Sequence, residues 1–323
     1  MAHEIESMFF VHETPWHRLG TRLEAPPTTR EAIVAAGLDW EIGLKPLVTS
    51  DGEAVAHRAT YRKSDGAILG VVGPAWVPLQ NAEAFAFFDP FLGAGEATLE
   101  TAGSLREGKR VWVLAKMNRT PSVIVPKADD VVEKFILLSN SHDGSLAVRV
   151  GFTPIRVVCA NTLSMAFDDK ASKLIRVRHQ KNMERTLAAV RDIMNTANAA
   201  FEATAEEYRR LARTSVVGDD LRRYVQLVFQ PNKARVVVER PVNDTGDESE
   251  KSRMFDSITR LFEGGRGNTL PGVRGTLWAA YNAVTEYVSH ERGRSDETRL
   301  NALFNDGAQL NQRALDVALS MAA

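Results

Sequence analysis

The run from Asn140 to Leu163, NSHDGSLAVRVGFTPIRVVCANTL, admits few folds. Asp143-Gly144 is a turn signal, because aspartate bonds its own backbone and glycine accepts a positive φ. Beyond it Val148, Val150 and Phe152 alternate with Ala147, Arg149 and Gly151. A period of two places the first set on one face of a strand and the second on the other. The segment predicts a hairpin whose sheet has one apolar face and one face carrying a cation. Pro154 marks a bend, Arg156 follows in extended chain, and the pattern turns helical toward Leu163.

The same grammar recurs upstream. Ala54–Arg62 and Ala67–Val72 flank Lys63-Ser64-Asp65-Gly66, and Ala97–Leu105 and Arg110–Met117 surround Arg106-Glu107-Gly108-Lys109. Val132–Leu138 and Ser145–Phe152 make a third hairpin, and Trp40–Val48 reads as a further strand. Alternating runs separated by glycine turns predict an antiparallel sheet. Thr28 caps a short helix ending at Gly37, and Asn81–Leu92 reads as one helix with Phe85, Phe88 and Leu92 on a side. Residues 1–27, broken by Pro15, Pro26 and Pro27, read as irregular chain, with Met8 to Val11 packed over a core.

After Asn161 the period changes. Leu187, Val190, Met194, Ala197, Phe201, Tyr208 and Leu211 recur at helical steps and predict one long amphipathic helix, Met183–Arg213. Shorter helices are expected over Asp219–Phe229, Arg253–Phe262, Thr276–His290 and Ala308–Met321. The acidic stretch 241–251, whose only apolar side chains are Pro241 and Val242, reads as a flexible loop. The expected fold is α+β: a curved antiparallel hairpin-built sheet with a packed helix in residues 1–165, then a helical region in 166–323.

Composition narrows the setting. A chain of 323 residues with 44% hydrophobic and 25% charged residues can bury a large core and is ordinary for a soluble protein. The single cysteine, Cys159, forms no internal disulfide, which favours a reducing cytosol. No run approaches the roughly 20 apolar residues of a membrane span, and the first 20 residues lack the basic start and apolar run of a signal peptide. A cytoplasmic protein is expected. The net charge of −1 conceals an asymmetry. Residues 1–105 carry 7 basic against 14 acidic side chains, residues 106–240 carry 24 against 15, and residues 241–323 carry 9 against 12. A positive middle between negative flanks suits an anionic ligand, or self-association between unlike faces.

Most classes of chemistry find little support. Cys159 lies in Val157-Val158-Cys159-Ala160, where a cysteine packs as a small apolar group. His12 and His17, with Glu13, match no metal-ligand spacing. Gly264-Gly265-Arg266-Gly267-Asn268 precedes a helix and its amides could hold a phosphate, but no Gly-Lys-Ser or Gly-Lys-Thr loop is present. His142-Asp143 could serve a hydrolase as acid and base, yet Asp143-Gly144 is first a turn. The basic set stands out: Arg149, Arg156, Lys170, Lys173, Arg176, Arg178 and Lys181, with Arg176 and Arg178 alternating with Ile175 and Val177 as in a short strand. Trp112, Phe152 and Phe167 are the aromatics expected to stack on bases.

Three motifs then coincide. Pro15-Trp16-His17-Arg18-Leu19-Gly20, Pro154-Ile155-Arg156-Val157-Val158-Cys159-Ala160-Asn161-Thr162-Leu163 and Gly275-Thr276-Leu277-Trp278-Ala279-Ala280-Tyr281-Asn282-Ala283-Val284-Thr285-Glu286-Tyr287 occur in this order at wide spacing. Together they resemble a phage/plasmid-like family filed as a domain of unknown function. The resemblance implies a protein of phages, plasmids or integrated elements, and carries over no catalytic residue. The order of sheet, packed helix and helical region also resembles, in architecture, single-strand annealing proteins of the Rad-fifty-two type.

The expected function is binding of single-stranded DNA by a homo-oligomer, in strand annealing or recombination. Arg149, Arg156, Lys173, Arg176, Arg178 and Lys181 would contact phosphates. No metal, nucleotide or other cofactor is called for, because annealing makes no covalent bond. The alternative is a protein-interaction or host-takeover factor of a mobile element, without nucleic-acid binding.

Overall fold

The structure, a computed structural model, describes residues 5–11, 20–118, 121–156, 161–162, 175–196, 198–229, 248–292 and 306–323. Twelve strands are described: β1 (Ile5–Val11), β2 (Thr21–Leu23), β3 (Ile42–Val48), β4 (Ala54–Arg62), β5 (Ile68–Val72), β6 (Ala97–Leu105), β7 (Arg110–Met117), β8 (Ser122–Val125), β9 (Asp130–Ser141), β10 (Val148–Arg156), β11 (Asn161–Thr162) and β12 (Ile175–Val177). Nine form one sheet in the order β11-β10-β9-β7-β6-β1-β2, with β12 on β10 and β8 on β9, while β3-β4-β5 form a second. The helices are α1 (Thr29–Ala35), α2 (Asn81–Ala86), α3 (Asp89–Gly93), α4 (Met183–Thr196), α5 (Asn198–Arg213), α6 (Asp220–Phe229), α7 (Glu248–Gly264), α8 (Leu277–Glu286) and α9 (Asp306–Met321). The fold is α+β, with a helical C-terminal region. Among the described residues no helix is long and apolar enough to cross a membrane.

Local chemistry sets many boundaries. The β6–β7 hairpin has the limits that its alternation predicts. Gly144 takes φ +76°, as the Asp143-Gly144 turn requires. Thr28 and Glu31 form a capping box: the Thr28 Oγ1 accepts from the Glu31 amide at 3.3 Å, and the Glu31 carboxylate accepts from the Thr28 amide at 2.9 Å.

Several expectations are corrected. Ile5–Val11 is a strand, not irregular chain, paired antiparallel to β6 and parallel to β2, so the sheet is mixed. Met8, Phe9, Phe10 and Val11 are all buried, and a strand covered on both faces shows no alternation. The Asn81–Leu92 helix is two short helices, with Pro90 in the first turn of the second. Asn161–Thr162 is a short strand on β10 rather than the start of a helix. Glu248 to Lys251, assigned to the acidic loop, open α7, and 241–247 lie outside the described residues.

The chain forms two compact units. The first comprises residues 1–120, 134–152 and 169–198; the second comprises 121–133, 153–168 and 199–323. The first core gathers Phe9, Leu38, Phe85, Phe88, Leu99, Val113, Ile136 and Val150, closed by Leu187 and Val190 of α4. In the second, α8 is buried along its whole length, and the Trp278 ring packs tilted against those of Tyr208 and Tyr281. Within α8 the Asn282 side-chain amide donates to the Trp278 carbonyl at 2.8 Å, and the Thr285 hydroxyl donates to the Asn282 carbonyl at 3.0 Å. The apolar stripe of the expected long helix is therefore shared. Leu187 and Val190 pack in the first unit, whereas Phe201, Tyr208 and Leu211 of α5 pack in the second. Ala197, between the two helices, lies outside the described residues.

Candidate nucleic-acid interface

The site is built on the first unit's end of β10. β12 pairs with it antiparallel, placing Val148 opposite Val177, Arg149 opposite Arg176 and Val150 opposite Ile175. Val148, Val150 and Val177 are buried, so alternation sends Arg149 and Arg176 together to the other face. Arg149 is half-buried and Arg176 exposed. Burial, and then the charges of Arg176 and Arg110, push the Arg149 guanidinium below its ordinary pKa. Arg110, absent from the predicted set, comes from β7, where it pairs with Ser141. Its signal in sequence was only its place as first residue of a strand.

Arg178 follows β12 directly, and Lys181 lies in the turn before α4; both are exposed. Arg176, Arg178 and Lys181 make no salt bridge with a described residue. Arg156 is not brought to this group. It pairs with Asn161 at the other end of β10, in the second unit. Lys170 and Lys173 lie outside the described residues, as do His12, His17, Cys159 and Phe167.

The expected base-stacking aromatics are corrected. Phe152 has the parity of Val148 and Val150 and is buried with them, its ring covered by the Lys134 ammonium at 3.6 Å. Trp112 is buried against Gly103, where a Cβ would come within 2.6 Å of the indole. An aromatic beside the basic strand does exist at a position the sequence did not mark. Trp76 is half-buried in the loop between β5 and α2, and stacks on the His179 ring at 4.7 Å and 24°.

Other candidates resolve into structure. His142 is fully buried. Its Nε2–H donates to Asn81 Oδ1 at 2.9 Å, and its ring meets Trp40 edge-on at 5.5 Å. Burial, with the neighbouring His179, pushes its pKa down to about 3, so the ring is neutral. Asp143 Oδ1 accepts the Ser145 amide at 2.8 Å, completing the turn. The glycine loop at 264–268 does hold an anion, but the chain's own: the Glu286 carboxylate accepts the Arg266 amide at 3.1 Å. A Cβ on Gly265 would stand 2.6 Å from that carboxylate. Among the described residues no group of three or more His, Cys, Asp or Glu side chains could hold a metal ion.

Comparison with curated proteins and with solved structures finds no match, and neither shows a likeness to annealing proteins. The sequence profile of one family, DUF932, matches residues 68–315. That span includes β5 to β12 and most of the helical region, so the chain belongs to the DUF932 family, a domain of unknown function.

Proposed function

We propose that this protein binds single-stranded DNA along the β10–β12 edge and the turn that follows it. The observation that carries the reading is the cross-strand pair Arg149–Arg176. Two guanidiniums directly opposite in a ladder concentrate positive charge at one point of the edge, a local field that attracts a phosphate. Arg110 adds a third guanidinium to the field at Arg149, and Arg178 and Lys181 extend the basic path along the chain. Cations spread along a strand and a turn suit a polymer of phosphates better than one small anion. In the proposed process, strand annealing or recombination in a phage or plasmid setting, the cations screen the repulsion between two strands. A homo-oligomer would multiply weak contacts along one strand.

Fluorescence anisotropy of a labelled oligothymidylate tests this. If Arg149, Arg176, Arg178 and Lys181 each neutralise one phosphate, affinity falls about fiftyfold between 50 and 200 mM salt. The double variant Arg149→Ala, Arg176→Ala should reduce both the affinity and the salt slope. Absence of binding at low salt would exclude the proposal.

A second reading, a protein-interaction or host-takeover factor, is favoured by the small sheet. Val48, Val55, Ile68 and Val71 are exposed there by 63%, 36%, 55% and 55%, more apolar surface than a sheet needs to leave open. On that reading the wild-type protein shows no affinity for an oligonucleotide at any salt.

A further inference from the structure

An open groove of about 300 Å³ adjoins the basic path in the first unit, lined by Trp76, Arg178, His179 and Gln180 and by the chain from Gly144 to Ala147. Its volume is at the lower end of small-ligand sites. Two of its members carry complementary chemistry: Trp76 supplies an aromatic surface, and Arg178 an exposed guanidinium that forms no salt bridge with a described residue.

The indole is held in place. Arg58 Nη2 donates to the Pro74 carbonyl at 2.8 Å and to the Trp76 carbonyl at 2.9 Å. The Val77 amide donates to the His179 carbonyl at 3.1 Å, and His179 Nδ1–H donates back to the Val77 carbonyl at 3.0 Å. His179 is itself 6% exposed, so one indole face rests on a ring fixed in the protein. An aromatic fixed before binding stacks a base with little loss of side-chain entropy. Arg178 is two residues from Arg176, so the groove continues the phosphate path that begins at the Arg149–Arg176 pair.

We propose that this groove receives one unstacked base of the bound strand, on Trp76, while Arg178 holds an adjoining phosphate; this rests on the single-strand reading above. The groove would make the protein distinguish a strand with bases from a bare sugar-phosphate chain.

The test compares a labelled oligothymidylate with a strand of equal length made wholly of abasic sites, by anisotropy at one low salt concentration. Wild type should prefer the strand with bases by about tenfold, the scale of one base–aromatic stack. Trp76→Leu, which keeps apolar bulk without the ring, should lose that preference while binding the abasic strand as before. Trp76→Phe should keep most of it. A preference unchanged in Trp76→Leu overturns the groove assignment and leaves phosphate binding intact, provided the abasic strand still binds with salt dependence. Failure of the wild type to bind either strand overturns both proposals.

Discussion

Gly70 of β5 lies so close to Asp143 in the β9–β10 turn that a Cβ built on it would stand 2.6 Å from the Asp143 Cα and 2.7 Å from its carbonyl oxygen. One residue further on in the turn and two further on in β5, a Cβ on Gly144 would stand 2.9 Å from Val72 Cγ1. Two glycines thus let the small sheet lie directly on the turn that leads into the basic strand. Gly70→Ala drives its methyl group into the Asp143 backbone, a clash no rotamer relieves. It should destabilise the first unit by about 1–3 kcal/mol. Chemical denaturation of the variant against wild type checks this.

The Arg149–Arg176 pair predicts a trade between stability and binding. Arg176→Glu replaces a like-charge pair with an opposite-charge pair across the same ladder position. The melting temperature should rise by about one or two degrees, and more at low salt. Oligonucleotide affinity should fall more than in Arg176→Ala, because the new charge repels phosphate. A variant that loses both stability and binding would show that Arg176 serves the fold.

His142 predicts a pH dependence of stability. Its pKa is pushed from 6.5 down to about 3 in the folded chain, where Asn81 accepts its Nε2–H and no solvent reaches the ring. Unfolded chain takes up a proton below pH 6.5 while folded chain stays neutral. The stabilisation is therefore complete above pH 6.5 and is lost progressively as pH falls toward 3. At pH 5 the loss is about 2 kcal/mol relative to pH 7.5. His179, whose pKa is lowered chiefly by burial, adds in the same direction. In His142→Gln the stability profile between pH 7.5 and 5 should be flatter than in wild type, even though the variant starts lower.

In the second unit, Trp278 Nε1–H donates to Asp130 Oδ2 at 2.8 Å, with both side chains wholly buried. Trp278→Phe keeps most of the ring packing beside Tyr208 and Tyr281 but withdraws a donor from a buried carboxylate. The expected cost is about 2 kcal/mol. Trp278→Phe combined with Asp130→Asn should recover part of it, since the amide carries less charge to satisfy. Thermal melts of the two variants decide the point.

Much of the site's local form was legible before any tertiary contact was known. Alternation from Val148 to Phe152 already separated the buried valines from Arg149, and Ile175 to Arg178 already read as a short extended piece. What alternation could not show is register. That Arg149 faces Arg176, that Arg110 shares their field, and that Arg156 belongs to the other unit are consequences of which strands pair and where. Aromatic side chains were misjudged for a related reason: burial of Trp112 depends on Gly103 across the ladder, and the placing of Trp76 depends on its stack on His179, about a hundred residues away.

By itself the sequence determined whatever is decided within a few residues: the capping box at Thr28, the positive φ of Gly144, the limits of β6 and β7, and the helical stripe after Met183. These depend on sterics and hydrogen bonds local to the chain. Only the tertiary structure decided that Met8 to Val11 form a strand inside the sheet, that one apolar stripe serves two cores, and that the glycine loop at 264–268 is filled by Glu286. Each of those depends on a partner far away along the chain, and burial on both sides erases the periodic pattern by which a sequence announces its structure.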